Sequence, residues 1–161
     1  AQLKELYRCN NGDNENLEGS ILGLKFLSLG EMFMNWCDWL YVLKDKKLMK
    51  ECEKDAESVP ENAIKKVYAN RKWIPLAHDL NGNYIGIDLD PDENGTVGQI
   101  INYGSDENRK YVITKSIREF LALVLEILEN NKPSIKTRYK RLTVNVDANP
   151  IQLIISRINK L

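Results

Sequence analysis

Five carboxylates crowd the middle of the chain. Asp79 precedes the stretch GNYIGIDLDPDENGTVGQII (residues 82–101), which itself holds Asp88, Asp90, Asp92 and Glu93. Carboxylates at alternating positions are the donors of a calcium loop, and a facing pair can do general acid and base work. A calcium loop starting at Asp88 needs glycine at its sixth position for the sharp turn and a bidentate glutamate at its twelfth. Glu93 and Gln99 stand there instead, so no metal site is expected. Nothing in the sequence places a partner group opposite the carboxylates. The plainer reading is a Pro91-containing turn between two strands with solvated carboxylates, since Asp, Asn and Gly favour turns through local hydrogen bonds and backbone range.

The other reactive residue types point the same way. His78 is the only histidine and sits in PLAHD beside apolar residues, where a packed or hydrogen-bonded side chain is expected; no nucleophile motif accompanies it. Cys9, Cys37 and Cys52 are widely spaced, form no CxxC pair and have no histidine at zinc spacing, so they read as reduced small hydrophobes of a cytoplasmic protein. Gly82, Gly86, Gly95 and Gly98 are scattered over turns and strands and form no phosphate loop. Trp36, Trp39 and Trp73 fit core or half-core positions, with use at an interface as the rarer alternative. No catalytic residue, cofactor or metal is expected.

A chain of 161 residues that is 43% hydrophobic and 29% charged is expected to form one domain with one core. It holds no apolar run of about 18 residues, so no membrane span is expected, and no signal-peptide pattern opens it. The zero net charge hides a split. Residues 132–161 hold seven Lys and Arg against one Asp, while residues 1–131 are acidic. Such a basic tail can be satisfied within the molecule or can attract an acidic partner. KPSIKTRYKR, with Lys132, Lys136, Arg138, Lys140 and Arg141 around Tyr139, offers phosphate contacts, but no second aromatic platform or nucleic-acid motif accompanies it. Nucleic acid is therefore not the expected partner.

These residues need elements to position them. Leu3, Leu6 and Tyr7 have helical spacing ahead of Asn11-Gly12, and branched and aromatic residues suggest a strand around 20–27. Ser28 and Glu31 form a capping box before a helix over about 29–44, with Met32, Phe33, Trp36, Leu40 and Leu43 as its stripe. An exposed helical piece is expected through about residue 57, interrupted at Pro60. Four strands follow, Trp73 to His78, Asn83 to Leu89, Val97 to Tyr103 and Lys110 to Thr114, joined by short turns that favour antiparallel neighbours. In the second, Ile85, Ile87 and Leu89 are expected to face away from Tyr84, Gly86 and Asp88. Ser116 and Glu119 open a second helix with Phe120, Leu121, Val124, Leu125 and Leu128 on one face. LTVNV reads as a last strand, and Asn149 caps a last helix carrying Ile151, Ile154, Ile155 and Ile158. Helices interleaved with a central cluster of strands predict an α+β class.

WIPLAHD (73–79), GNYIGIDLDP (82–91), NGTVGQII (94–101) and the later IREFLALV, together with the early NNG and GLKFLSLGEMFMNW, resemble the SUKH superfamily, the Smi-one/Knr-four family, in the expected order over residues 5 to 130. The resemblance implies a single α+β domain with a central, mostly antiparallel sheet, about five to six strands here, and helices packed beside it. It divides the chain into a SUKH-like region, 1–131, and a basic strand-helix extension, 132–161, expected to pack on the same domain. It also implies a non-catalytic protein-binding module: in bacterial members a toxin-neutralising immunity protein, in fungal relatives a regulator of cell-wall synthesis and signalling. Compactness, without the long extensions of the fungal proteins, favours the bacterial role and a cognate toxin as partner. The alternative is a nucleic-acid-binding or regulatory interaction protein that uses the basic tail. The candidate partner-binding residues are Trp73, Asp79, Asp88, Asp90, Asp92 and Gln99, around a turn whose carboxylates could imitate phosphate.

Overall fold

The computed structural model describes residues 2–14, 17–131, 134–138, 141–145 and 149–159. Its strands form two sheets. The larger has the order β2-β4-β5-β6-β7-β3, built from β2 (Lys25–Phe26), β3 (Glu57–Val59), β4 (Trp73–His78), β5 (Asn83–Asp88), β6 (Gln99–Gly104) and β7 (Arg109–Thr114). All its pairings are antiparallel except β3 with β7. The smaller has the order β1-β9-β8, from β1 (Leu17–Glu18), β8 (Ser134–Arg138) and β9 (Arg141–Asn145). Among the described residues five α-helices complete a single α+β domain: α1 (Gln2–Cys9), α2 (Leu29–Val42), α3 (Lys46–Cys52), α4 (Ile117–Asn131) and α5 (Pro150–Ile158).

The caps fall where the side chains demand them. The Ser28 hydroxyl accepts from the Glu31 amide at 3.3 Å, and Glu31 Oε2 accepts from the Ser28 amide at 2.9 Å, closing the box that starts α2. Partial burial alone would raise the Glu31 carboxyl. Hydrogen bonds from Lys25 and Ser28 outweigh that and bring it down to about 2. Asn149 accepts from the Gln152 amide at 3.1 Å with Pro150 in the first turn of α5. At α4, Ser116 accepts from the Glu119 amide, but the Glu119 carboxylate reaches the Lys115 amide, one residue short of a full box.

Both faces of the larger sheet are covered, so every residue of β5 and β6 is buried. On one face Ile85, Ile87 and Ile100 pack with Phe120, Val124 and Ile127 of α4, Ile151, Ile154 and Ile155 of α5, and Leu22 and Leu24 of the loop before α2. On the other, Trp73, Tyr84, Ile101 and Tyr103 pack with Ala63 and Ile64, and Trp39 of α2 rests on them. The face of β5 carrying Tyr84, Gly86 and Asp88 is thus part of a second core, because α2 and the segment around residue 63 close over it. Gly86 fits this crowding: a Cβ there would lie 2.6 Å from both Ile74 O and Tyr103 Cε1.

Three local readings are corrected. The strand expected over about 20–27 is only two residues long, since Leu22 and Gly23 take positive φ and turn the chain. The helical piece expected through about 57 ends earlier, and Glu57–Val59 instead pairs with β7. Within α2 only Met32 is buried, and Phe33 is 58% exposed.

His78 stacks on Tyr84, ring centroids 5.6 Å apart. Burial and the Lys25 charge lower its pKa from 6.5 against weaker pulls from Asp79 and Glu31. The unfolded chain therefore takes up this proton first, and stability from this group falls as pH drops through 6.5. Urea melts between about pH 7 and about pH 5 should show that slope flattened in His78→Phe; an unchanged slope assigns it elsewhere.

Candidate functional site

The acidic run is organised around one buried side chain. Asp88 ends β5 with no exposed surface, and its Oδ1 accepts from Trp73 Nε1 at 3.1 Å and from the Asp90 amide at 2.9 Å. Its Oδ2 accepts from Gln99 Nε2 at 2.9 Å. Gln99, 1% exposed, also donates to Ala63 O at 2.9 Å and accepts from the Thr96 amide at 3.0 Å. The register explains the meeting: Trp73 and Gln99 are the cross-strand partners of Asp88 in β4 and β6. Burial pushes the Asp88 carboxyl up, and the three hydrogen bonds pull it part of the way back. The expectation of solvated carboxylates is therefore wrong for Asp88. It holds the ends of three strands together, and its carboxylate is spent on internal donors.

The loop beyond Asp88 is fastened to a second one. The Asp92 amide donates to Ala63 O at 3.3 Å, the Asn94 amide to Asn62 O at 2.9 Å, and Asn62 Nδ2 to Glu93 Oε1 at 3.0 Å. Asp90 accepts from Lys65 at 2.8 Å and from Asn70 at 3.0 Å, with Lys72 at 3.7 Å. These contacts, the Lys65 and Asn70 hydrogen bonds first, lower its carboxyl to about 2. Gly95 sits where the two loops touch, and a Cβ there would lie 2.1 Å from Ala63 O and 2.5 Å from Pro91 Cβ. Gly95→Ala should accordingly cost about 1–3 kcal/mol, the range of an overpacked site, read as a lowered urea midpoint. A neutral result would show that the loops part easily.

What remains open to a macromolecule is the outer surface of residues 89–98. Glu93 is exposed and Asp92 partly so. Leu89 and Val97, in the same loop, are also exposed. A groove of about 410 Å³ runs along this loop between Leu3, Ile74, Ile87 and Ile117. Trp73, Asp88 and Gln99 are buried, out of a partner's reach in this conformation. Asp79 is at the other end of β5, where Oδ1 accepts from the Asn81 amide at 2.7 Å and the Asn83 amide at 3.1 Å, closing the β4–β5 turn. The structure thus gathers Trp73, Asp88, Asp90, Asp92 and Gln99 at one end of the sheet and leaves Asp79 apart.

Among the described residues no three His, Cys, Asp or Glu are placed to hold a metal ion, and none of the helices is long and apolar enough to cross a membrane. Of the basic stretch, Lys132, Tyr139 and Lys140 lie outside the described residues, while Lys136 is exposed on β8. Sequence reasoning missed Lys110. It is 1% exposed, donates to Glu107 O at 3.0 Å, and lies 5.8 Å from the Trp73 ring centroid. Burial lowers it to about 8. Nothing in a strand's opening lysine signals such burial; only tertiary packing does.

The model of the SMI1/KNR4 family (SUKH-1) matches residues 1–123. The curated relatives are fungal. The chain is 49% identical over 70 residues to a KNR4/SMI1 homolog of Yarrowia lipolytica, a match covering 44% of this chain and 10% of that protein. It is 48% identical over 75 residues to the cell wall biosynthesis/cell cycle regulator smi1 of Schizosaccharomyces pombe, covering 47% and 15%. It is 47% identical over 75 residues to the cell wall assembly regulator SMI1 of Saccharomyces cerevisiae, again 47% and 15%. The matches thus span 10–15% of those relatives' length. They overturn the expected bacterial immunity role and its cognate toxin: the relatives are named as regulators, which fits the alternative reading. Compactness misled because a segment says nothing about the length of the proteins that carry it.

Proposed function

Because the chain belongs to the SMI1/KNR4 family (SUKH-1), we propose that it is a non-catalytic protein-binding module of the regulatory, cell-wall or signalling type. The observation that carries this reading is the 89–98 loop, fixed from inside by Asp88, Gln99 and Trp73 and carrying Leu89 and Val97, 43% and 69% exposed, as well as Asp92 and Glu93. A rigid mixture of apolar and acidic groups suits a protein surface that joins apolar and cationic ones, with the charges aiding encounter and register. In this reading the buried candidates act through the shape they give the loop, and Asp90 and Asp92 act at its surface. The three cysteines are free thiols, which supports a reducing compartment such as the cytoplasm.

The test is a chimera. Residues 1–123 of this chain replace the corresponding family region of the Schizosaccharomyces pombe regulator, and cells lacking that regulator are scored for growth under cell-wall stress. Restored growth is expected. A stably expressed chimera that restores nothing would count against a shared regulatory role.

A further inference from the structure

β8 is an edge strand. It pairs with β9 through Ser134↔Asn145, Ile135↔Val144, Lys136↔Thr143, Thr137↔Leu142 and Arg138↔Arg141, and no described strand borders its other side. Such an edge offers unpaired amide and carbonyl groups, which proteins either guard or use for strand addition. The register sorts this sheet into two faces. Ile135, Leu142 and Val144 share one, with Ile135 67% and Leu142 46% exposed. Lys136, exposed, shares the other with Thr143. On the far side of β9, β1 shows what a neighbouring strand carries here: Leu17 beside Leu142, and Glu18 beside Thr143. The apolar residue joins the apolar face, and the carboxylate joins the face of Lys136. Residues 132–145 contain five Lys and Arg and no Asp or Glu.

We infer that the outer edge of β8 is a docking site for an extended acidic peptide, alternating apolar and carboxylate residues, that adds to the small sheet as a fourth strand. The backbone ladder requires a polypeptide, because only a polypeptide supplies amides and carbonyls at strand spacing. A nucleic acid would meet the cations alone. The site lies beyond residues 1–123 and does not rest on the reading of the 89–98 loop.

The probe is a fluorescein-labelled, end-capped eight-residue peptide alternating valine and glutamate, titrated into the full chain and followed by anisotropy. Saturable binding is expected, with slowed amide exchange in residues 134–138. Two further peptides carry N-methyl groups on alternate residues, one in each phase. One of them should fail to bind and the other should bind like the parent, because only one edge of the peptide pairs with β8. Lys136→Glu, on an exposed side chain and with its melt checked against the parent chain, should weaken binding roughly tenfold by turning an attractive cross-strand pair into a repulsive one. Absence of peptide binding, equal binding of both methylated peptides, an unchanged affinity in Lys136→Glu, or preference for a single-stranded oligonucleotide of equal charge would each overturn the assignment.

Discussion

Trp73→Ala is expected to lower stability by about 3–5 kcal/mol, the range for removing a buried indole. Trp73 is 2% exposed and its ring packs on Tyr103 with centroids 5.4 Å apart, while the Lys110 ammonium lies 5.8 Å from the Trp73 ring centroid. Its loss opens a cavity in the second core and removes one of the three donors to Asp88. Trp73→Phe separates these effects. It keeps much of the packing and loses the indole N–H, so about 1–3 kcal/mol of the penalty should remain. Urea denaturation of both variants measures the difference. If Trp73→Ala costs less than about 1 kcal/mol, the packing and hydrogen bond of Trp73 do not hold the second core together.

Asp88→Asn is nearly isosteric yet should destabilise the fold by about 1–3 kcal/mol, the cost of leaving buried polar atoms unsatisfied. The carboxylate accepts at both oxygens. An amide group would point a donor at Gln99 Nε2. Turning Gln99 over does not help, because its Nε2 would then face the Thr96 amide and lose Ala63 O. The pH dependence carries a second signature. The folded-state pKa of Asp88 is raised, so its contribution is fully present below 3.8 and is lost as pH rises through the higher folded value. Asp90 behaves oppositely: its value of about 2 gives stability present above 3.8 and lost as pH falls toward 2. Asp88→Asn should therefore abolish the first slope in acid titrations of stability and leave the second. A more stable Asp88→Asn protein would refute the network.

Strand positions and helix caps were readable because they are written locally. Trp73–His78 and the Ser28–Glu31 box follow from alternation and from the pairing of a hydroxyl with a glutamate three residues on. The short edge β3 was not readable, since Glu-Ser-Val carries little strand signal and is held by its partner β7. β8 was hidden for the same reason: Ser-Ile-Lys-Thr-Arg carries little strand signal and is held by its partner β9. At the site, the sequence showed which residues lie around the turn but not their depth. Asp88 looked like one more turn carboxylate, and only the register that puts Trp73 and Gln99 on either side of it shows why it is buried. The burial of Lys110 left no mark in the sequence at all.

The measurement closest to the central claim asks whether the outer surface of the 89–98 loop, rather than any chemistry, does the work. In the chimera described above, Asp92→Lys and Val97→Asp are combined, and the melting temperature of the isolated chain is compared with its parent. An unchanged melt and loss of growth under cell-wall stress are expected. A chimera that still restores growth with its loop surface reversed would contradict the claim.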